Sequence, residues 1–304
     1  MALDLPPRFV ATVQGAFGDA GRAWLARLPV LLSHYAAQWQ LTLESPFPLS
    51  YNYVVAATRA DGAPVVLKLG VSNPELLNEI AALRIFDGRG AARPLESDPR
   101  GGALLLDRLM PGTTLATLEN DDEATAIAIQ VMRRLWQPLP VSHPFPTLRQ
   151  WTRAIRRHRE SFGGAGPLPA LLFERAERLL DDLLESAPAP VLLHGDLHHE
   201  NILRAGADRW LAIDPKGVAG DPAFEVGALL HNGLPERSDA AATRRLLERR
   251  VSQLAEGPGI ERERVLAWGV THAILSAVWS IADGTPWQRA VVCGEVLAGM
   301  MDDA

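Results

Sequence analysis

Val191-Leu-Leu-His194-Gly195-Asp196-Leu-His198-His199-Glu200-Asn201-Ile-Leu is followed, after the turn Ala205-Gly206-Ala207-Asp208, by Leu211-Ala-Ile-Asp214-Pro215. Two short apolar runs each end in polar side chains, as strands do when they deliver their last residues to a site. A loop of this composition can also exist only to satisfy backbone groups, because Asp and Asn bond nearby N–H groups in many turns. The rest of the chain has to decide between these readings.

Upstream, the β-rich run 51–58, the turn Ala60-Asp61-Gly62 and the run 64–69 predict a hairpin carrying Lys68. Asn73-Pro74-Glu75 supplies a cap, a first-turn proline and a first-turn acid, opening a helix with Leu76, Ile80 and Leu83 on one face and an end near Asp87-Gly88. Glu79 shares that apolar face, where a lone carboxylate is costly, so Lys68 on the adjacent strand is its natural partner. A boundary glutamate reaching water is the competing reading. A second hairpin joins 92–96 to 103–109, and Pro111-Gly112 closes this β-rich part. Before it, residues 20–44 have helical spacing up to Ser45-Pro46. Beyond Thr113 the pattern predicts helices over 121–137, 147–161, 168–186, 240–256, 261–282 and 286–302, interrupted by the β-rich island 191–213. The fold class is therefore α+β, with a β-rich first part and a mainly helical second part.

Phosphoryl transfer needs a group to orient and deprotonate the attacking hydroxyl, and a divalent cation on oxygen ligands to offset phosphate charge. Asp196, Asn201 and Asp214 are residues of those types, and the five-residue step from Asp196 to Asn201 is that of a kinase catalytic loop. A metal-dependent hydrolase is the other chemical reading, with His194, Asp196, His198 and His199 as zinc or iron ligands. That reading leaves Lys68 and Glu79 unexplained.

The string His194-Gly195-Asp196-x-His198-x-x-Asn201 followed by Ile213-Asp214-Pro215 resembles the aminoglycoside phosphotransferases, and the resemblance extends upstream to Lys68 and Glu79. Asp214-Pro-Lys-Gly with Gly220-Asp-Pro-Ala-Phe-Glu-Val-Gly looks most like the branch containing streptomycin 6-kinases and hydroxyurea-resistance kinases. The resemblance implies a two-lobed protein-kinase-like fold: a nucleotide-binding lobe over residues 1–109, and a helical lobe over residues 110–304 with the catalytic loop and substrate site. It further implies ATP or GTP as donor, Asp196 as base, and Mg²⁺ between Asn201 and Asp214. Glu79 would hold Lys68 on the phosphates, and 105–109, with Asp107 and Leu109, would lie beside the nucleotide base. His194, His198, Lys216, Asp221 and Glu225 would support the site.

Two departures from protein kinases point away from a protein substrate. Ser50-Tyr-Asn-Tyr stands where a Gly-x-Gly-x-x-Gly loop would be expected, and His198 replaces the lysine two residues after the base. The acceptor implied is a small alcohol, first a cationic aminoglycoside such as streptomycin. Asp121, Asp122, Glu123, Asp283, Asp302 and Asp303 are candidate acids for it, although most such acids are solvated helix faces. Hydroxyurea, choline or a sugar would use the same catalytic residues, and a nucleotide-binding pseudokinase would keep the fold without the transfer.

Composition agrees with a compact globular protein. In 304 residues, 47% are apolar and 22% charged, within ordinary globular usage. The single Cys293 excludes an intrachain disulfide. A net charge of −6 argues against a nucleic-acid partner, which would require a basic face, and no protein partner is implied. The most apolar stretch, 265–281, contains His272 and Ser276 and falls short of the ~20 residues that span a bilayer, so it reads as a buried helix. No secretory pattern opens the chain, and the expected location is the cytoplasm.

Overall fold

The computed structural model describes residues 3–234 and 240–303; Met1 and Ala2, which open the stretch expected to lack a secretory pattern, lie outside them. The chain forms two compact units, Met1–Gly112 and Thr113–Ala304.

The first unit begins with α1 (Pro7–Gln38), a helix interrupted at Gly18, where φ is 54°. A five-stranded antiparallel sheet follows, in the order β1 (Leu41–Pro46), β2 (Tyr53–Arg59), β3 (Pro64–Leu69), β5 (Ala103–Asp107), β4 (Pro94–Asp98). Residues 41–44 are thus strand, where helical spacing was expected. Leu41-Thr-Leu fits both periods, and pairing with Ala57–Arg59 decides for the sheet. Ser50-Tyr51-Asn52 therefore belongs to the β1–β2 connection. One core joins Phe9, Trp24, Leu28, Leu32 and Tyr35 of α1 to Tyr53, Val55, Leu67 and Leu105 of the sheet. α2 (Pro74–Phe86) is opened by Asn73, whose side chain accepts from the N–H groups of Glu75 and Leu76, and it stops at a left-handed Asp87.

Within β6 (Pro111–Thr114) the chain passes into the second unit. There follow α3 (Asp121–Leu135), the two-residue β7 (Gln137–Pro138), α4 (Leu148–Trp151), α5 (Arg153–Phe162) and α6 (Ala170–Glu185). The helix expected over 147–161 is broken at Thr152, whose hydroxyl donates to the Leu148 carbonyl. The polar island forms β8 (Val191–Leu193), β9 (Ile202–Ala205) and β10 (Trp210–Ala212), with β11 (Val218–Gly220) antiparallel to β8. The last elements are α7 (Val226–His231), α8 (Ala240–Glu256), α9 (Arg262–Ala282) and α10 (Gln288–Asp302). At 21 residues α9 is long and apolar enough to cross a membrane, longer than its apolar stretch alone implied, yet 72% of its apolar window is buried. It packs against α6, α7, α8 and α10, which makes it the core helix of this unit.

Candidate active site

In the first unit, the Lys68 Nζ donates to Glu79 Oε1 at 2.6 Å. Both side chains are 7% exposed. β3 aims Lys68 at α2 because its alternate residues Val65, Leu67 and Leu69 fill the core on the opposite face. Asp107 ends β5, with its N–H donating to the Arg93 carbonyl, and Leu109 follows it half-buried.

In the second unit, His194 follows β8 and the chain turns sharply through Gly195, where φ is 85° and an added Cβ would lie 2.8 Å from Val218 Cγ2. His194 is fully buried. Its Nδ1 accepts from the Asp196 N–H at 3.3 Å and its Nε2 donates to the Ile213 carbonyl at 2.8 Å, so both ring nitrogens are used. Burial pushes its pKa down to about 3, so the ring is neutral. With no ring nitrogen left for a metal, His194 drops out of the zinc reading. Among the described residues no group of three His, Cys, Asp or Glu could hold a metal ion.

Asn201 Nδ2 donates to the Asp196 backbone carbonyl at 2.9 Å, which orients the amide with its oxygen as the atom available to a cation. Asp214 has φ 62°, in the left-handed region where Asp is among the few non-glycine residues found. Lys216 Nζ lies 3.4 Å from Asp214 Oδ2. The side chains of Asp196 and Asp214 are each 37% exposed, while His194 and Glu225 are buried. The Asp214 carboxylate and the oriented Asn201 amide oxygen are hard-oxygen donors, the chemistry that fits Mg²⁺.

Glu225 braces the loop directly, and Asp221 anchors the segment that carries Glu225. Glu225 accepts from the His194 N–H at 3.1 Å and the Gly195 N–H at 2.7 Å. Burial is the largest cause that pushes its pKa up to about 7, with the backbone N–H groups opposing and the nearby Asp196 charge adding to the rise. Asp221 accepts from Arg264 Nε at 2.9 Å, Trp268 Nε1 at 2.7 Å and the Ala223 N–H. Sequence reading missed Arg264 and Trp268, although their i, i+4 spacing on an apolar helix was a usable signal. It also missed Arg250, 1% exposed, which donates to the carbonyls of Leu229 and Asn232 and pairs with Asp121. Arg250 sits on the apolar stripe Thr243, Leu247, Val251, Leu254 of α8, where an arginine demands a buried partner. Of the acids considered for a cationic substrate, Asp121, Asp122, Asp302 and Asp303 are each engaged by an arginine: Arg250, Arg249, Arg175 and Arg244.

A buried lysine–glutamate pair in one unit, and in the other an acid and an amide five residues apart with a second acid after a strand, are the equipment of the kinase-like phosphotransferases. Their reaction asks for positioning and charge more than for covalent catalysis. The chain belongs to the aminoglycoside/hydroxyurea antibiotic resistance kinase family, whose model matches residues 39–284. It is 32% identical to a streptomycin 6-kinase of Streptomyces glaucescens over 295 residues, covering 93% of this chain and 92% of that one. It is 33% identical to a hydroxyurea phosphotransferase of Kitasatospora aureofaciens, covering 98% and 86%. Among solved structures, a choline kinase of Streptococcus pneumoniae matches with a TM-score of 0.63 at 12% identity, covering 90% of this chain and 99% of that one, which shows a shared fold. The chain is a small-molecule phosphotransferase of the streptomycin or hydroxyurea kinase type, acting on a hydroxyl acceptor.

Proposed function

We propose that the chain moves the γ-phosphate of ATP or GTP to a hydroxyl of an aminoglycoside, with streptomycin as the first candidate and antibiotic resistance as the consequence. The observation that carries this reading is the braced loop, in which Asn201 fixes the backbone of Asp196 and Glu225 fixes the two peptide groups before it. The near full-length similarity to a streptomycin 6-kinase supports the acceptor.

In this mechanism Asp196 accepts the proton of the attacking hydroxyl, and its orientation needs no rearrangement because its backbone is already bonded on both sides. Lys68, held by Glu79, binds phosphate oxygens in the first unit, with Asp107 and Leu109 beside the nucleotide base. Asn201 Oδ1 and the Asp214 carboxylate would hold Mg²⁺, which when bound neutralises phosphate charge. His194 stays neutral and ties the base loop to the residue before Asp214. Lys216 offsets the Asp214 charge, and Asp221 anchors the segment that carries Glu225. A nucleoside triphosphate donor supports the cytoplasm as the working compartment.

A transfer assay with ATP and GTP against streptomycin, other aminoglycosides and hydroxyurea tests the reading, alongside Asp196→Asn. Streptomycin turnover that is lost in the variant is the expected outcome. Turnover of hydroxyurea alone would remove the aminoglycoside and keep the kinase, and full activity of the variant would remove Asp196 from the mechanism. Hydroxyurea is the second reading, favoured by the relative matched over 98% of this chain.

A further inference from the structure

The loop contains two histidines in the same local geometry. His194 Nδ1 accepts the N–H of Asp196, and His198 Nδ1 accepts the N–H of Glu200, each two residues on and each at 3.3 Å. A nitrogen that accepts from a peptide N–H carries no proton, so each neutral ring must be the Nε2–H tautomer. The two protons go to different places. That of His194 is spent on the Ile213 carbonyl, inside the fold. That of His198 lies at the site: its side chain is 21% exposed and Nε2 is 3.9 Å from Asp196 Oδ1.

A separation of 3.9 Å is too long for a direct hydrogen bond and suits a shared third atom. An oxygen about 2.8 Å from both atoms would subtend an angle of roughly 90° between them, so it can receive Nε2–H on a lone pair while giving its own proton to Oδ1. An acceptor hydroxyl has both capacities. We propose that His198 is a catalytic residue that grips the acceptor hydroxyl through Nε2–H, while Asp196 takes the proton from the same oxygen. This rests on the phosphotransfer reading of Asp196. As the hydroxyl proton passes to Asp196, the oxygen forms its bond to phosphorus and the bond from phosphorus to the nucleoside diphosphate breaks. His198 keeps its proton throughout. The grip directs the oxygen's remaining lone pair and would select a hydroxyl that can both accept and donate.

Two substitutions separate this role from helix capping. In His198→Asn, the side-chain oxygen takes the place of Nδ1 and keeps the Glu200 cap, but nothing reaches the place of Nε2; in His198→Gln, the amide nitrogen reaches it and the cap is weakened. With streptomycin and hydroxyurea as probes, His198→Asn is expected to keep its melting temperature and its affinity for a non-hydrolysable nucleotide. It should lose about 10- to 100-fold in kcat/KM for the acceptor, the cost of one hydrogen bond to a group becoming charged. His198→Gln should recover most of that loss. Wild-type kcat/KM in His198→Asn overturns the proposal. A second measurement needs no turnover: ¹H–¹⁵N correlation of the His198 ring at about pH 8.5, well above the ~6.5 of an ordinary imidazole. A protonated Nε2 with a bare Nδ1 is expected, and a protonated Nδ1 overturns the proposal. If the wild type phosphorylates neither probe, the acceptor reading fails, while the ring measurement still decides the tautomer on which the grip depends.

Discussion

Glu79 and Glu225 are both buried carboxylates that hold something else in place, one in each unit, and they are neutralised in opposite ways. Glu79 meets an ammonium at 2.6 Å. Glu225 meets two peptide N–H groups, with Asp196 near enough to make its charge more costly. The first sets a cation against the acid, and what it fixes is the tip of a long side chain. The second holds backbone and is open to protonation, so the rigidity of the base loop comes at the cost of a titrating group. Asp221, four residues before Glu225, shows the alternative within the second unit, since Arg264 and Trp268 satisfy it.

The largest expected effect comes from the groups these carboxylates serve. Asp196→Asn should lower turnover by about 10³-fold or more, with nucleotide affinity and melting temperature unchanged, measured by coupled assay, calorimetry and thermal unfolding. Next come the carboxylates paired with a cation. Glu79→Gln removes the carboxylate that Lys68 meets in a buried site and should cost up to about 3–5 kcal/mol in urea unfolding, with a higher KM for the nucleotide; a loss under ~1 kcal/mol would mean the pair is wetter than its 7% exposure implies. Asp221→Asn should cost a similar amount through Arg264.

Glu225 should separate from both by its pH dependence. Its carboxyl binds a proton more tightly in the folded chain, where it titrates at about 7, than in the unfolded chain, near 4.5. Between those values the folded state holds the extra proton, so this group's contribution to stability is full below pH 4.5 and lost as pH rises to about 7. Its amplitude is at most about 3 kcal/mol at 1.36 kcal/mol per pKa unit. Glu225→Gln should lack that slope, so the difference in stability between the two proteins should vary with pH between 4.5 and about 7, and a pH-independent difference would show that Glu225 takes up no extra proton on folding. The smallest effect belongs to the exposed Arg244–Asp303 pair: Arg244→Ala should leave the melting temperature unchanged within error.

Much of this comparison could be read from residue types and spacing. Asn73, the turn at Ala60-Asp61-Gly62 and the alternation through β3 marked the first-unit hairpin and helix, because local chemistry decides caps and turns. Lys68 and Glu79 could be matched because a carboxylate on an apolar helix face has few ways to be satisfied. The elements that escaped are those whose stability is not local. β6, β7 and β11 have four, two and three residues, too few for a period to show, and they exist through pairing with distant partners. Residues 41–44 fit helix and strand alike, and tertiary pairing decided. Pairs such as Arg250 with Asp121, 129 residues apart, are invisible to spacing, so acids that looked available for a cationic substrate are already taken.

Gly195 has a further consequence, for how such an enzyme changes over generations. It lies between His194 and Asp196 with φ 85°, and a side chain there would strike Val218 of β11. Asp214 sits in the same sparsely occupied region of backbone space. Mutation can therefore do little at these joints except abolish function. Selection for a new drug has to draw its variation from the surrounding helices and connections and leave this machinery as it is, so one unaltered loop could serve a lineage of enzymes with different targets.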